Sequence, residues 1–356
     1  MTKRVITLPY DDDTNTYRRE LLSALEEVDG IDPVQGSWWP AAPILGAALF
    51  SDERPDIIHL HWIHLFFYGD SSFESVLKFI RFPFELLIVR LLGIKLVWTV
   101  HNLREHDRRA PRAELFQRRI AARLCSRLIT HCDRAASLVR EEYQIPSKCS
   151  NRVSVVPHGN YINAYQNDIS ESDARKKLGI DSEEFVYLYF GQIREYKQVP
   201  KIIKCFTDIE SKNSRLLIAG NPKTKKLKRC INESASKSSN IDVVLKFVPD
   251  DEIQIYMNAA DVVVLPYRDI LTSGTAILAM SFSLPVVVPQ IGCMPELLAQ
   301  QSELLYEQDD RESFRKKLNA AKSSNLTSIG EKNLAEMEKS SWDRVAEETC
   351  DIYLSL

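Results

Sequence analysis

Arg194 and Lys197 lie in the stretch Phe190-Gly191-Gln192-Ile193-Arg194-Glu195-Tyr196-Lys197, between an apolar run over 185–190 and a helical pattern over 198–209. A guanidinium gives planar, two-pronged contact to phosphate, and an ammonium gives a compact point charge. Two cations at the carboxyl end of a strand, with Gly191 opening the loop, suit a diphosphate. A second loop leaves an apolar strand over 262–265, passes Tyr267, and closes on Ser273-Gly274-Thr275, where an apolar helix begins. A small-residue loop opening a helix offers free backbone N–H groups to an anion. A third loop, Ala219-Gly220-Asn221-Pro222, ends the intervening strand and supplies Asn221. Each loop taken singly is equally an ordinary charged or capped turn. Three successive strand ends with phosphate-compatible chemistry point to a phosphate-bearing ligand, at the place where open α/β sheets bind one.

Histidines supply the other chemistry. His101 ends the strand Val97-Trp-Thr-Val-His101 and suits general-base or proton-shuttle work near neutral pH. Glu105, His106 and Asp107 follow in the same loop, and Glu105 or Asp107 could serve as base instead. Asp11-Asp12-Asp13 follows the first strand and reads first as a solvated acidic turn or helix cap. His59 and His61 alternate along one strand, so both rings face one side. With His64 nearby they could hold zinc, but no Cys or carboxylate stands at ligand spacing, and no metal is expected. His158 ends the last strand of the first half, where it could touch a donor from a hinge or be a plain turn residue.

Apolar runs alternating with helical patterns must place these loops. Strands are expected over 5–8, 57–61, 96–100, 128–130 and 153–156, and again over 185–190, 215–219, 242–247, 262–265, 285–288 and 303–306. Strands separated by helices predict parallel sheets with helices on both faces, an α/β fold. The expected organisation is one α/β domain over 1–165, a second over 166–335, and a C-terminal helical segment over 336–356 packing back on the first domain. All seven histidines fall in the first half and the charged loops in the second, so reaction is expected in a cleft between the two.

Composition limits the alternatives. A chain of 356 residues is long for one core. A net charge of −3 gives no basic field for nucleic acid, and none is expected as a partner. Seven scattered cysteines without a Cys-x-x-Cys pair fit a reducing cytosol. The first residues run straight into a strand, unlike a signal peptide, and no charge-free stretch reaches spanning length. Residues 73–97 interleave Lys78, Arg81, Arg90 and Lys95 with large apolar residues. That pattern describes either a helix lying in a membrane interface or a core helix before a strand. Pro83 predicts two helical pieces there.

In their order along the chain, IIHLHW (57–62), TVHNLREHD (99–107), HGNY (158–161), FGQIREYKQV (190–199), IAGNP (218–222) and VVLPYRDILTSGTAILAMSFSLPVVVP (263–289) resemble the GT-B glycosyltransferases. Within these they are most similar to bacterial GDP-mannose:glycolipid 4-β-D-mannosyltransferases of exopolysaccharide assembly. The resemblance implies two Rossmann-like domains with parallel sheets facing across a cleft. The second domain would bind the nucleotide-sugar, GDP-mannose, through Gly191, Arg194, Lys197, Asn221, Tyr267, Ser273, Gly274 and Thr275, with His158 reaching in. The first would take a lipid-linked glycan, with His101, Glu105 or Asp107 acting in the reaction. No metal or cofactor beyond the co-substrate is implied, and the protein would work on the cytoplasmic membrane face, in contact through 73–97.

The large retaining GT-B family carries two Glu eight apart where Ile270 and Leu278 stand here, and an Arg where this chain has Gln192. Those departures imply an inverting reaction. The alternatives are a retaining transferase using a UDP-sugar, a UDP-sugar 2-epimerase, and a non-catalytic nucleotide-sugar-binding partner. A dinucleotide oxidoreductase is disfavoured, because no Gly-x-Gly-x-x-Gly follows any strand.

Overall fold

The structure, a computed structural model, describes residues 2–9, 15–34, 36, 39–105, 110–209 and 213–356. Its strands are β1 Lys3–Leu8, β2 Ile31–Pro33, β3 Ile57–Leu60, β4 Lys95–Thr99, β5 Arg127–Thr130, β6 Val153–Val155, β7 Phe185–Phe190, β8 Ser214–Ala219, β9 Ile241–Val244, β10 Val262–Val264, β11 Val286–Pro289 and β12 Leu305–Tyr306. They form two six-stranded sheets, ordered β2-β1-β3-β4-β5-β6 and β12-β11-β10-β7-β8-β9, and every pairing is parallel. The alternating strand and helix pattern is thus an α/β fold with two sheets. The chain divides into two compact units, Met1–Gly159 with Ser340–Leu356, and Asn160–Lys339.

Strand order decides which loops become neighbours. In the first unit β3, β4, β5 and β6 lie side by side, so their carboxyl ends align His61, His101, His131 and His158. In the second, β7 is flanked by β10 and β8, so the loops after Phe190, Val264 and Ala219 adjoin. Both strand runs are almost wholly apolar and buried, as parallel strands covered on both faces require.

Several elements depart from the expectation. β2 was not expected; it is three residues long, ends in Pro33, and sits at the sheet edge, where proline is tolerated. β9 stops at Val244 rather than 247, because its partner strand ends at Ala219, opposite Val244, and the chain turns at Gly220. β12 begins at Leu305, after a 3₁₀ turn over Ala299–Leu304. The C-terminal segment is two helices, Leu326–Glu338 and Trp342–Leu354. In the second, Val345, Ala346, Cys350 and Tyr353 join a core with Tyr17, Leu21 and Leu25 of helix Thr16–Glu26.

The clearest correction concerns Pro83. Helix Ser72–Leu91 runs through it unbroken. A helical proline donates no hydrogen bond and orphans the carbonyl four residues back. Here that carbonyl belongs to Phe79, and Gln117 Nε2 from helix Pro111–Leu124 donates to it at 2.6 Å. Phe82, Leu86 and Val89 bury one face of helix Ser72–Leu91. On the other face Phe73, Val76, Leu77, Ile80, Phe84, Leu87, Ile88 and Leu91 form an exposed stripe at helical spacing, with Phe73 at 74% and Leu91 at 77% exposure. No helix among the described residues is long and apolar enough to cross a membrane.

Candidate active site

In the second unit the three loops converge through glycine. Gly191 has φ +106°, and a Cβ there would lie 3.3 Å from Thr275 Oγ1 and 3.8 Å from Lys197 Nζ. Gly220 has φ +156°, and a Cβ there would lie 1.8 Å from the Gly191 carbonyl oxygen. No side chain fits at Gly220, so the loops after β7 and β8 touch backbone to backbone. Ser273 caps helix Gly274–Ser281 by accepting from the Ala276 N–H at 3.1 Å, and it hydrogen-bonds the Tyr267 hydroxyl at 2.9 Å. The helix start, with its positive dipole end, therefore adjoins Gly191 and Lys197.

Lys197 is the electrostatic centre. It is 9% exposed, sits 5.8 Å from the centre of the Tyr267 ring, and has no ion pair among the described residues. Burial, then the neighbouring Arg194, pushes its ammonium down to about 8. A buried cation without a counter-charge is costly, and an arriving anion removes that cost. Among the described residues Arg194 donates to Gln192 Oε1, at 2.7 Å from Nη2. A cavity of about 320 Å³ is lined by Gly191, Gln192, Arg194, Asn221, Lys223 and Phe247 among others. Of the residues expected to hold the donor, the structure thus gathers Gly191, Arg194, Lys197, Asn221, Tyr267, Ser273, Gly274 and Thr275 at adjoining strand ends. Phe247 and Lys223 were not expected there. Phe247 gave no signal because a 70% exposed ring has no pattern to reveal it.

His158 lies in the first unit, within a histidine cluster. His59 Nδ1 meets the Tyr353 hydroxyl at 2.6 Å, and its Nε2 meets Thr99 Oγ1 at 2.7 Å. His61 Nδ1 meets His101 Nε2 at 2.9 Å, His101 Nδ1 meets His131 Nε2 at 3.4 Å, and His131 Nδ1 donates to the Val156 carbonyl at 3.0 Å. His158 Nδ1 donates to the Gly159 carbonyl at 2.7 Å. Tyr17 packs edge-on against His61, His101, His131 and His158. Trp62, with φ +36°, stacks on His101 at 4.5 Å and 11°. Such a backbone angle is strained for a bulky residue and is kept where the surroundings enforce it.

Burial holds all five rings neutral. His59 and His158 are pushed down to about 3 and His131 to about 4, with His61 and His101 well below the usual range. Neighbouring rings, and for His61 the Arg18 guanidinium, add to the effect. Among the described residues no three His, Cys, Asp or Glu side chains gather as a metal-ligand set. The ring nitrogens are largely spent on one another, on hydroxyls and on carbonyls.

His101 therefore stands at the strand end as expected, yet both its nitrogens are occupied by other histidines. Glu105 turns to His64 Nε2 at 3.3 Å. Its loop is fastened from beneath: Glu114 accepts from the Glu105 N–H and pairs with Arg118, Arg118 donates to the Asn102 carbonyl, and the Tyr143 hydroxyl donates to that of Leu103. His106, Asp107 and Asp11–Asp13 lie outside the described residues.

Two family models match the chain. The family described as Glycosyltransferase Family 4 matches residues 4–160, and Glycosyl transferases group 1 matches residues 170–339. A GDP-mannose:glycolipid 4-beta-D-mannosyltransferase of Xanthomonas campestris pv. campestris is 28% identical over 276 residues, covering 78% of this chain and 70% of that protein. A D-inositol 3-phosphate glycosyltransferase of Streptosporangium roseum is 24% identical, covering 82% and 67%. Among solved structures, sucrose-phosphate synthase from Thermosynechococcus elongatus superposes with a TM-score of 0.76 at 14% identity, covering 100% of this chain and 99% of that one. HepE of Anabaena, solved with UDP, gives 0.72 at 15% identity over all of both chains.

Proposed function

We propose that this chain, a glycosyltransferase of the GT-B architecture, moves mannose from GDP-mannose to a lipid-linked glycan, with inversion and without a metal ion. The observation that carries the reading is Lys197, a buried cation with no ion pair among the described residues, set beside Arg194, Thr275 and a helix N-terminus. These groups suit the charge that develops on a departing nucleoside diphosphate, the part a divalent ion plays elsewhere. GDP-mannose and a glycolipid are named by the Xanthomonas relative, which supports the choice of donor and acceptor class. Inversion is supported by Ile270 and Leu278, which leave apolar side chains where the resembling retaining enzymes carry Glu.

The exposed stripe from Phe73 to Leu91, with Lys78 and Arg81 on the same helix, supports a peripheral seat on the inner face of the membrane. A lipid-linked acceptor would then be met where it resides. The test combines binding and turnover. Thermal stabilisation should be larger with GDP than with UDP, dTDP or NAD, because ligand bound to the native state raises the melting temperature. Acceptor-dependent release of GDP should follow with a glycolipid fraction, and the product should be β-linked by NMR. Stabilisation by UDP alone, or an α-linked product, overturns this reading in favour of a retaining UDP-sugar transferase.

A further inference from the structure

His61, His101 and His131 form a single file of rings whose direction the backbone decides. The Val156 carbonyl can only accept, so His131 Nδ1 carries the proton and its Nε2 is an acceptor. His101 must then donate from Nδ1 to His131 Nε2, which leaves His101 Nε2 as an acceptor. His61 must in turn donate from Nδ1 to His101 Nε2. All three rings are neutral and share the Nδ1–H tautomer, an assignment that follows from the hydrogen-bond network. One acceptor nitrogen remains in the file. His61 Nε2 is buried and has no hydrogen-bond partner among the described residues. A buried polar atom left unpaired calls for an explanation.

We propose that these three histidines are a one-way proton relay for the transfer reaction, loaded at His61 Nε2 and discharged toward His131. The proposal rests on the glycosyl-transfer reading above, which requires that an acceptor hydroxyl lose its proton. As the acceptor oxygen bonds to the anomeric carbon, the bond from that carbon to the phosphate oxygen breaks. Its electron pair leaves with the nucleoside diphosphate. The hydroxyl proton, passed through water because His61 is fully buried, forms a new N–H bond at His61 Nε2. His61 gives its Nδ1 proton to His101 Nε2, and His101 gives its Nδ1 proton to His131 Nε2. His131 ends as the imidazolium, its Nδ1–H still on the Val156 carbonyl.

His61 is then the entry to the relay, and His101 and His131 carry the charge on, away from the reacting atoms. The other groups facing the file explain why the cation moves along it. Arg18 acts electrostatically on His61, which disfavours a positive charge resting there. The Tyr17 ring lies edge-on to all three rings, and His59 is satisfied by Tyr353 and Thr99. His158 also faces His131, at 5.2 Å between ring centres.

Two measurements test the proposal. Nitrogen–proton correlation spectra of the ¹⁵N-labelled full chain should show Nδ1–H tautomers for His61, His101 and His131 at neutral pH. An Nε2–H tautomer at His101 or His131 overturns the relay, whether or not the chain is active. His101→Gln keeps an amide oxygen to accept from His61 and an amide N–H to donate to His131, yet it cannot pass a proton. It should keep wild-type thermal stability and GDP affinity while kcat falls about 10²–10⁴-fold, the range for proton-transfer catalysis. Undiminished kcat in a folded His101→Gln protein overturns the relay. His61→Gln should lose turnover to the same extent, and near-normal turnover there moves the proton acceptor elsewhere. If the wild-type chain transfers no sugar from any nucleotide-sugar, the functional reading fails, and the tautomer pattern alone decides the direction of the file.

Discussion

Acid should loosen the first unit before it affects the second. His59, His61 and His131 are all deeply buried, and each is neutral in the fold with its pKa lowered. In the unfolded chain each returns to the ordinary value of 6.5. The unfolded state therefore binds more protons below 6.5, so stability is fully present above that value and drains away as pH falls toward the folded values of about 3 and about 4. At about pH 5.5 each such histidine favours unfolding by about RT ln 11, or about 1.4 kcal/mol, so these three alone remove about 4 kcal/mol, and His101 and His158, also lowered, add to the loss. That is a large share of a typical domain stability of about 5–15 kcal/mol. All five tryptophans fall within the sequence of the first unit, so indole fluorescence reports that unit's unfolding without interference. Urea titrations at about pH 7.5 and about 5.5 should show the lower-pH midpoint shifted by the equivalent of at least about 4 kcal/mol. His131→Asn should remove about 1.4 kcal/mol of that pH dependence. Equal midpoints at the two pH values would refute the claim that these rings are held neutral by burial.

Other outcomes can be stated briefly. Lys197→Ala should weaken GDP binding by roughly 1–3 kcal/mol in calorimetry, the range for charge-assisted hydrogen bonds, and unchanged affinity removes the site. In the wild-type chain GDP affinity should fall as pH rises through about 8, because Lys197 loses its charge there. Ile80→Asp with Phe84→Asp alters only exposed positions of the apolar stripe, so stability should hold while flotation with anionic liposomes is lost. Flotation equal to wild type would mean that another surface meets the membrane.

Much of the fold was legible because parallel strands covered on both faces must be apolar runs, as at 185–190 and 262–264. Helix continuity at Pro83 was not, since the group that satisfies the Phe79 carbonyl comes from residue 117 and leaves no local trace. The loops proposed to hold phosphate could be read because their residue types declare the charge of the ligand they suit. The histidine file could not be read in the same way. Each ring was visible at a strand end, but only the order β3-β4-β5-β6 makes the rings neighbours. Nothing in the spacing of Tyr17 announces its four imidazole neighbours.

Helix Pro111–Leu124 has a mechanical role that its sequence does not advertise. Gln117 grips the Phe79 carbonyl of the apolar helix, while Glu114, a turn before it, and Arg118, the next residue, grip the backbone at Glu105 and Asn102. One short rod is thus bolted to the exposed greasy face and to the loop that begins at His101. A push on the apolar helix, such as settling onto a surface, reaches that loop through three side chains on a single rigid element rather than through soft connecting chain. The helix that carries the stripe and the loop that begins at His101 are therefore held at a fixed spacing by one rigid element.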